Sequence, residues 1–264
     1  MSENGIRIPS LRDAFLIVFL GFTAALAVQL LGGTKLGKWG LLLGTVVMVL
    51  PALLFAFLRP FPFRTTFRWR RTDVRCLAAA GLVGLGMGPA MDELDRLIQR
   101  LIPMSPDLLR ALESAVRFQT IPEMLILVAA MVVAAPFAEE MLFRGLLQGT
   151  LERTGNVNKA VLSTSLLFTA IHFNPWWTVE ILITGVFLGV LTWRTNSIFP
   201  AIVLHAVNNV LSFILINTDP QRLQWYTFRG HIAPHWIALG ILLAVIGFKW
   251  TYRVTQEEHE GKNG

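Results

Sequence analysis

The sequence predicts an all-α polytopic membrane bundle of about eight transmembrane helices, with short interfacial amphipathic helices around 92–120. Three observations predict it. Of 264 residues, 54% are hydrophobic and 15% charged, where soluble domains carry about 25% charged residues. Apolar runs long enough to cross the ~30 Å hydrocarbon core recur along the whole chain. Lys and Arg gather in the loops that alternate between those runs, as cytoplasmic loops require.

The elements follow in order. Residues 1–13 are polar. The first span is Ala14 to Leu31; its Ala25-Leu26-Ala27 resembles a cleavage site, but the run is longer than a signal h-region. The second span, Trp39 to Leu58, contains Pro51. The third, Cys76 to Met91, carries Gly81, Gly84, Gly86 and Gly88, which let neighbouring helices approach closely. Between Asp92 and Thr120, Leu94, Leu97, Ile98 and Leu101 recur at helical spacing among charges, and Pro103 and Pro106 divide the stretch. It reads as two amphipathic helices lying at the membrane surface. The fourth span is Pro122 to Thr150, ending at the Gly155-Asn156 turn. The fifth is Val157 to Phe173, the sixth Thr178 to Trp193, the seventh Ile198 to Ile216 and the eighth His235 to Trp250. The chain 1–264 reads as one integral membrane domain with a polar cytoplasmic tail over 251–264. The distribution of Lys and Arg places both termini in the cytoplasm.

The net charge of +6 does not call for nucleic acid. Arg59, Arg64, Arg68, Arg70, Arg71 and Arg75 lie among Phe61, Phe63, Phe67 and Trp69, a mixture suited to an interfacial loop on anionic lipid. The single cysteine, Cys76, excludes an internal disulfide.

The fourth span holds the chain's most costly residues. Glu139, Glu140 and Arg144 follow an apolar run, and each charge at the centre of a membrane helix costs roughly 2.5–3.5 kcal/mol. Three in six positions must answer to one another or to a polar cavity. Glu140 and Arg144 are four apart, so they share a helix face, with the acid first. Glu139 points about 100° away and is the acid left for chemistry. Pro136 cannot donate to the carbonyl of Val132, which loosens the helix one turn before the glutamates.

Other polar groups on separate spans can meet these carboxylates. His172 follows Phe168 by four residues in the fifth span, and Asn209 follows His205 by four in the seventh. Each pair shares a face. A carboxylate and an imidazole can activate water, and a histidine N–H with an Asn amide can stabilise an oxyanion. No Gly-x-Ser-x-Gly elbow occurs, and Cys76 has no base near it in sequence, so a nucleophilic route is poorly served. Glu139, His172 and His205 could instead hold a divalent metal such as zinc, although no His-Glu-x-x-His is present. These residues leave water activated by Glu and His open beside water activated by metal.

In their order, Glu139-Glu140-x-x-x-Arg144, Phe168-x-x-x-His172 and His205-x-x-x-Asn209 resemble the CAAX protease and bacteriocin-processing membrane protease family. The likeness covers about 120–215, the catalytic core it implies, and Arg194-Thr-Asn-Ser-Ile198 looks like the family's bacterial members. It implies an intramembrane endopeptidase in a prokaryotic plasma membrane, with a cavity open to lipid. By that resemblance Glu139 and His172 activate water, His205 and Asn209 stabilise the oxyanion, and Glu140 and Arg144 support the site. A membrane-anchored peptide or protein is the implied substrate, with no cofactor required. A proton-coupled transporter, or a scaffold or immunity protein of the same family, would use the same residues differently.

Three smaller groups stand outside this set. Trp176, Trp177, Trp225 and Tyr226 suit an interfacial aromatic belt, and Trp176 also lies close enough to His172 to grip substrate. His231 and His235 are four apart but separated by Pro234, which favours an interfacial anchor over a metal site. Glu180 caps the sixth span or lines the cavity.

Overall fold

The computed structural model describes residues 2–3, 6–59 and 61–260. Among them ten helices are formed. They are α1 (Leu11–Leu36), α2 (Trp39–Leu58), α3 (Phe63–Thr66), α4 (Val74–Leu101), α5 (Pro106–Val116), α6 (Ile121–Thr154), α7 (Val157–Ala170), α8 (Thr178–Thr195), α9 (Phe199–Ile216) and α10 (Pro234–Glu260). A single 3-10 turn (Pro220–Leu223) and two short antiparallel pairings complete the described elements: β1 (Ser2–Glu3) with β2 (Ile6–Arg7), and β3 (Thr227–Phe228) with β4 (His231–Ile232). The chain is an all-α polytopic bundle.

Seven of these helices are long and apolar enough to cross a membrane. The eighth expected span, α7, has 14 residues, about 21 Å at 1.5 Å per residue, short of a ~30 Å core. Its partner α6 runs for 34 residues, well over the ~20 that a ~30 Å core needs, so it is long enough to extend beyond the hydrocarbon.

Two boundaries differ from the sequence reading. Asp92 to Leu101 is not a separate surface helix but the continuation of α4, which runs through Pro89 without a break. Its charges are met locally: Tyr226 donates to Asp92 (2.6 Å), and Glu93 accepts from His231 Nδ1 (2.6 Å) and from the Ile232 amide (2.7 Å). Only α5 remains as a separate amphipathic helix, capped by Ser105 and held at its end by Lys38 on the Ala115 carbonyl (2.9 Å). The tail is also helical as far as Glu260, as part of α10; residues 261–264 of the predicted tail lie outside the described residues.

Packing divides into two buried clusters. Ala14, Ile17, Met48, Leu142, Phe143 and Phe168 belong to one, and Val83, Met87, Leu188 and Leu204 to the other. Helix α9 lies between them, giving Ile202 to the first and Ala201 to the second. Outward residues of α1 and α2 are apolar, Phe57 being 87% exposed, as a lipid-facing surface requires.

The glycines of α4 act where helices nearly touch. A Cβ on Gly86 would lie 2.5 Å from the Gly240 carbonyl oxygen of α10, whereas one on Gly81 would lie 3.7 Å from the nearest atom of Val203. Gly86→Ala is therefore expected to destabilise by the upper part of the ~1–3 kcal/mol that overpacking costs, and Gly81→Ala by much less. Melting of the two purified variants in detergent checks this; equal melting temperatures would contradict it.

Candidate functional site

Helix α6 is wound unevenly around its charges. Val128–Ala134 and Met141–Gln148 are π-helical, and the α-helical turn Ala135–Glu140 between them carries both glutamates. Pro136 stands at the second position of that turn. It can neither donate to the preceding turn nor tolerate its carbonyl at α-helical distance, and the wider winding ahead of it relieves both demands. π segments of this kind mark functional sites disproportionately.

Glu140 and Arg144 are both fully buried. Glu140 Oε1 accepts from Arg144 Nη1 (3.2 Å) and contacts His205 Nδ1 (2.8 Å). Arg144 also donates from Nη2 to the Gly185 carbonyl (3.3 Å) and lies 4.2 Å above the Phe168 ring centroid. A desolvated cation–π contact of that kind contributes about 2 kcal/mol. A single carboxylate oxygen thus gathers α6 and α9, and Arg144 ties both to α7 and α8.

Glu139 lies on the neighbouring face, partly exposed. Its Oε2 is 3.9 Å from His205 Nε2, too long for a hydrogen bond and near enough for one small molecule to touch both. That oxygen is buried and accepts no hydrogen bond from the described residues. Because Nδ1 of His205 faces a carboxylate, it carries the proton. Nε2 is then the atom turned toward Glu139.

His172 lies in the turn that follows α7, not on the helix itself. Its Nδ1 contacts the Phe168 carbonyl (2.6 Å), which fixes Nδ1 as the donor and leaves Nε2 as the acceptor in the neutral ring. The Phe168 ring joins the two histidines edge-on, with centroids 4.8 Å from His172 and 6.1 Å from His205. No hydrogen bond or ion pair links His172 directly to Glu139 among the described residues. Asn209 Nδ2 donates to the Met131 carbonyl (2.8 Å), within the first π segment. One of its two N–H bonds is therefore spent on backbone and the other remains.

The zinc alternative rests on Glu139, His172 and His205. No three His, Cys, Asp or Glu side chains come together to hold a metal among the described residues. Both histidines engage Nδ1, His172 with the Phe168 carbonyl and His205 with Glu140, which leaves their Nε2 atoms for the site.

The other candidates have local explanations. His231 Nδ1 contacts Glu93, and His235 packs on Trp236 with ring centroids 5.1 Å apart. Trp176 donates to the Ile102 carbonyl (2.7 Å), so it holds the end of α4. Glu180 is half-buried in the first turn of α8, and its Oε1 has no hydrogen-bond partner among the described residues. Tyr226 is 7% exposed; burial first, and then Asp92 beside it, hold its hydroxyl well above the usual tyrosine range, so it stays a donor to that carboxylate. In the arginine-rich loop, Arg68 does not face lipid. It turns inward at φ 50° to meet Glu152, with Nη1 3.1 Å from Oε1.

Two parts of the site carry no motif signal. Gln148, fully buried, donates to Glu152 (2.8 Å) and to the Gly189 carbonyl (2.9 Å). The Gly185 carbonyl is likewise backbone. The four-residue step from Arg144 to Gln148 is the one mark that the sequence offers.

Residues 121–211 match the family model Rce1-like, described as type II CAAX prenyl endopeptidase Rce1-like. The match spans about a third of the chain, from the start of α6 to most of α9, and includes every residue of the cluster just described. Over that segment the resemblance drawn from the sequence holds. No curated protein and no solved structure matches the chain.

Proposed function

We propose that this chain, Rce1-like over residues 121–211, is an intramembrane endopeptidase. It hydrolyses a peptide bond of a membrane-anchored peptide or protein near the surface of a prokaryotic plasma membrane, with both termini in the cytoplasm. The observation that carries the reading is the 3.9 Å separation of Glu139 Oε2 from His205 Nε2, with Glu140 holding the far side of the same imidazole. A water seated against Glu139 attacks the scissile carbonyl carbon while Glu139 takes its proton, and His172 Nε2 accepts from the same water. The oxyanion is met by His205 and by the second N–H of Asn209. Such donors are each worth about 3 kcal/mol. The proton on Glu139 then passes to the leaving amine as the C–N bond breaks.

Catalysis in this reading uses no metal. Purified protein in liposomes, incubated with membrane-anchored peptides, is expected to cut one peptide bond, identified by mass spectrometry. The rate should stay within about twofold after chelation, since no step is assigned to Lewis-acid chemistry. Loss of cleavage on chelation, restored by added zinc, would overturn the metal-free mechanism. Absence of cleavage from every anchored peptide, with intact binding, would favour a scaffold.

A further inference from the structure

Four polar residues of α6 form a ladder that continues past the site. Glu140, Arg144, Gln148 and Glu152 stand at four-residue steps. In an α-helix of 3.6 residues per turn such a stripe drifts steadily around the axis. The wider π segment Met141–Gln148 offsets that drift, so successive residues keep facing α8 and the Arg68 loop.

Two of them hang from α8 in register. Arg144 donates to the Gly185 carbonyl and Gln148 to the Gly189 carbonyl, four residues later on both helices. The glycines make the approach possible. A Cβ on Gly189 would lie 2.9 Å from Gln148 Oε1 and 2.9 Å from Val161 Cγ1; one on Gly185 would first meet Ser165 Cβ at 3.1 Å. Gln148 has its amide assigned by its neighbours: both partners are acceptors, so both amide hydrogens are spent.

The ladder then closes on the helix that carries His205. Gln148 donates to Glu152 (2.8 Å), and Glu152 accepts from Arg68 (3.1 Å). The Arg68 carbonyl accepts from the Ile198 amide (3.2 Å), at the residue preceding α9. Helix α9 is thus tied to α6 twice, through His205 on Glu140 and, two turns earlier, through Ile198. Gln148 is the joint shared by α6, α8 and the Arg68 loop.

We propose that Gln148, seated on the Gly189 carbonyl, is a positioning residue that sets the Glu140–His205 contact from two turns away. Its catalytic consequence rests on the endopeptidase reading; its structural consequence does not. Gln148→Met keeps the length of the side chain and removes both donors. Gly189→Ala keeps Gln148 and pushes its amide from the carbonyl. Each is expected to lower kcat roughly tenfold or more, as small misplacements of reacting groups do, with KM within about twofold. The proton on His205 Nδ1, read by NMR in histidine-labelled protein, should shift or broaden in both variants.

The two readouts separate the failures. If wild-type protein cleaves nothing, the endopeptidase reading fails while the His205 signal still tests the positioning role. If a folded variant of either kind keeps both the wild-type kcat and an unchanged Nδ1–H signal, the proposal is wrong. The second variant covers the case in which the first does not fold.

Discussion

Glu139→Gln is expected to lower kcat by about 10²–10⁴-fold, the range for losing a general base, and to leave KM and the melting temperature near wild type. The argument rests on what Glu139 does not touch. Its Oε2 accepts no hydrogen bond from the described residues, and it lies 3.9 Å from His205 Nε2. Replacing the carboxylate by an amide of the same shape therefore breaks no contact that holds helices together, yet removes the group that takes the proton from water. His205→Ala, by contrast, removes an oxyanion donor, worth about 10²–10³ in kcat, and also frees Glu140 from its second partner, so it should cost stability as well. Single-turnover cleavage beside thermal unfolding of both variants distinguishes the two effects. A Glu139→Gln protein that cleaves within tenfold of wild type would move the base elsewhere, with His172 the next candidate.

The sequence exposed much of this site because charges in apolar helices are rare. The four-residue spacing of Glu140 and Arg144 predicted their pairing, and that of Phe168 and His172 their contact, although His172 turned out to lie just past the helix end. What stayed hidden depended on backbone. The carbonyls of Met131, Gly185 and Gly189 accept from Asn209, Arg144 and Gln148, and no side-chain pattern advertises a carbonyl. π winding was hidden for the same reason, since it follows from how α6 settles around Pro136 and its neighbours. The short α7 and the long α4 escaped because hydropathy reports where a helix is apolar, not where its hydrogen bonds end: in charged Asp92–Leu101, Asp92 meets Tyr226, and Glu93 meets His231 and the Ile232 amide.

Arg144→Met should destabilise the fold by about 3 kcal/mol, the lower end of the ~3–5 kcal/mol lost when one partner of a buried ion pair is removed. Glu140 and Arg144 are both inaccessible to solvent, so Glu140 would keep a carboxylate without its guanidinium. The loss falls at the lower end because His205 Nδ1 stays on the same oxygen at 2.8 Å. Methionine fills most of the arginine stem but restores neither the Gly185 hydrogen bond nor the cation over Phe168. Glu140→Gln alone should also destabilise, since it leaves Arg144 as the uncompensated charge. The double variant Glu140→Gln/Arg144→Met has no buried charge from the pair, and its amide oxygen can still accept from His205. It should therefore lie closer to wild type than the sum of the singles, by an interaction term of about 1–3 kcal/mol. Equilibrium unfolding of the four proteins gives that term directly. Strict additivity would mean that the two side chains hold the bundle independently, through α9 and α8 respectively. Coupling would mean that the pair itself is the joint on which the helices of the site close.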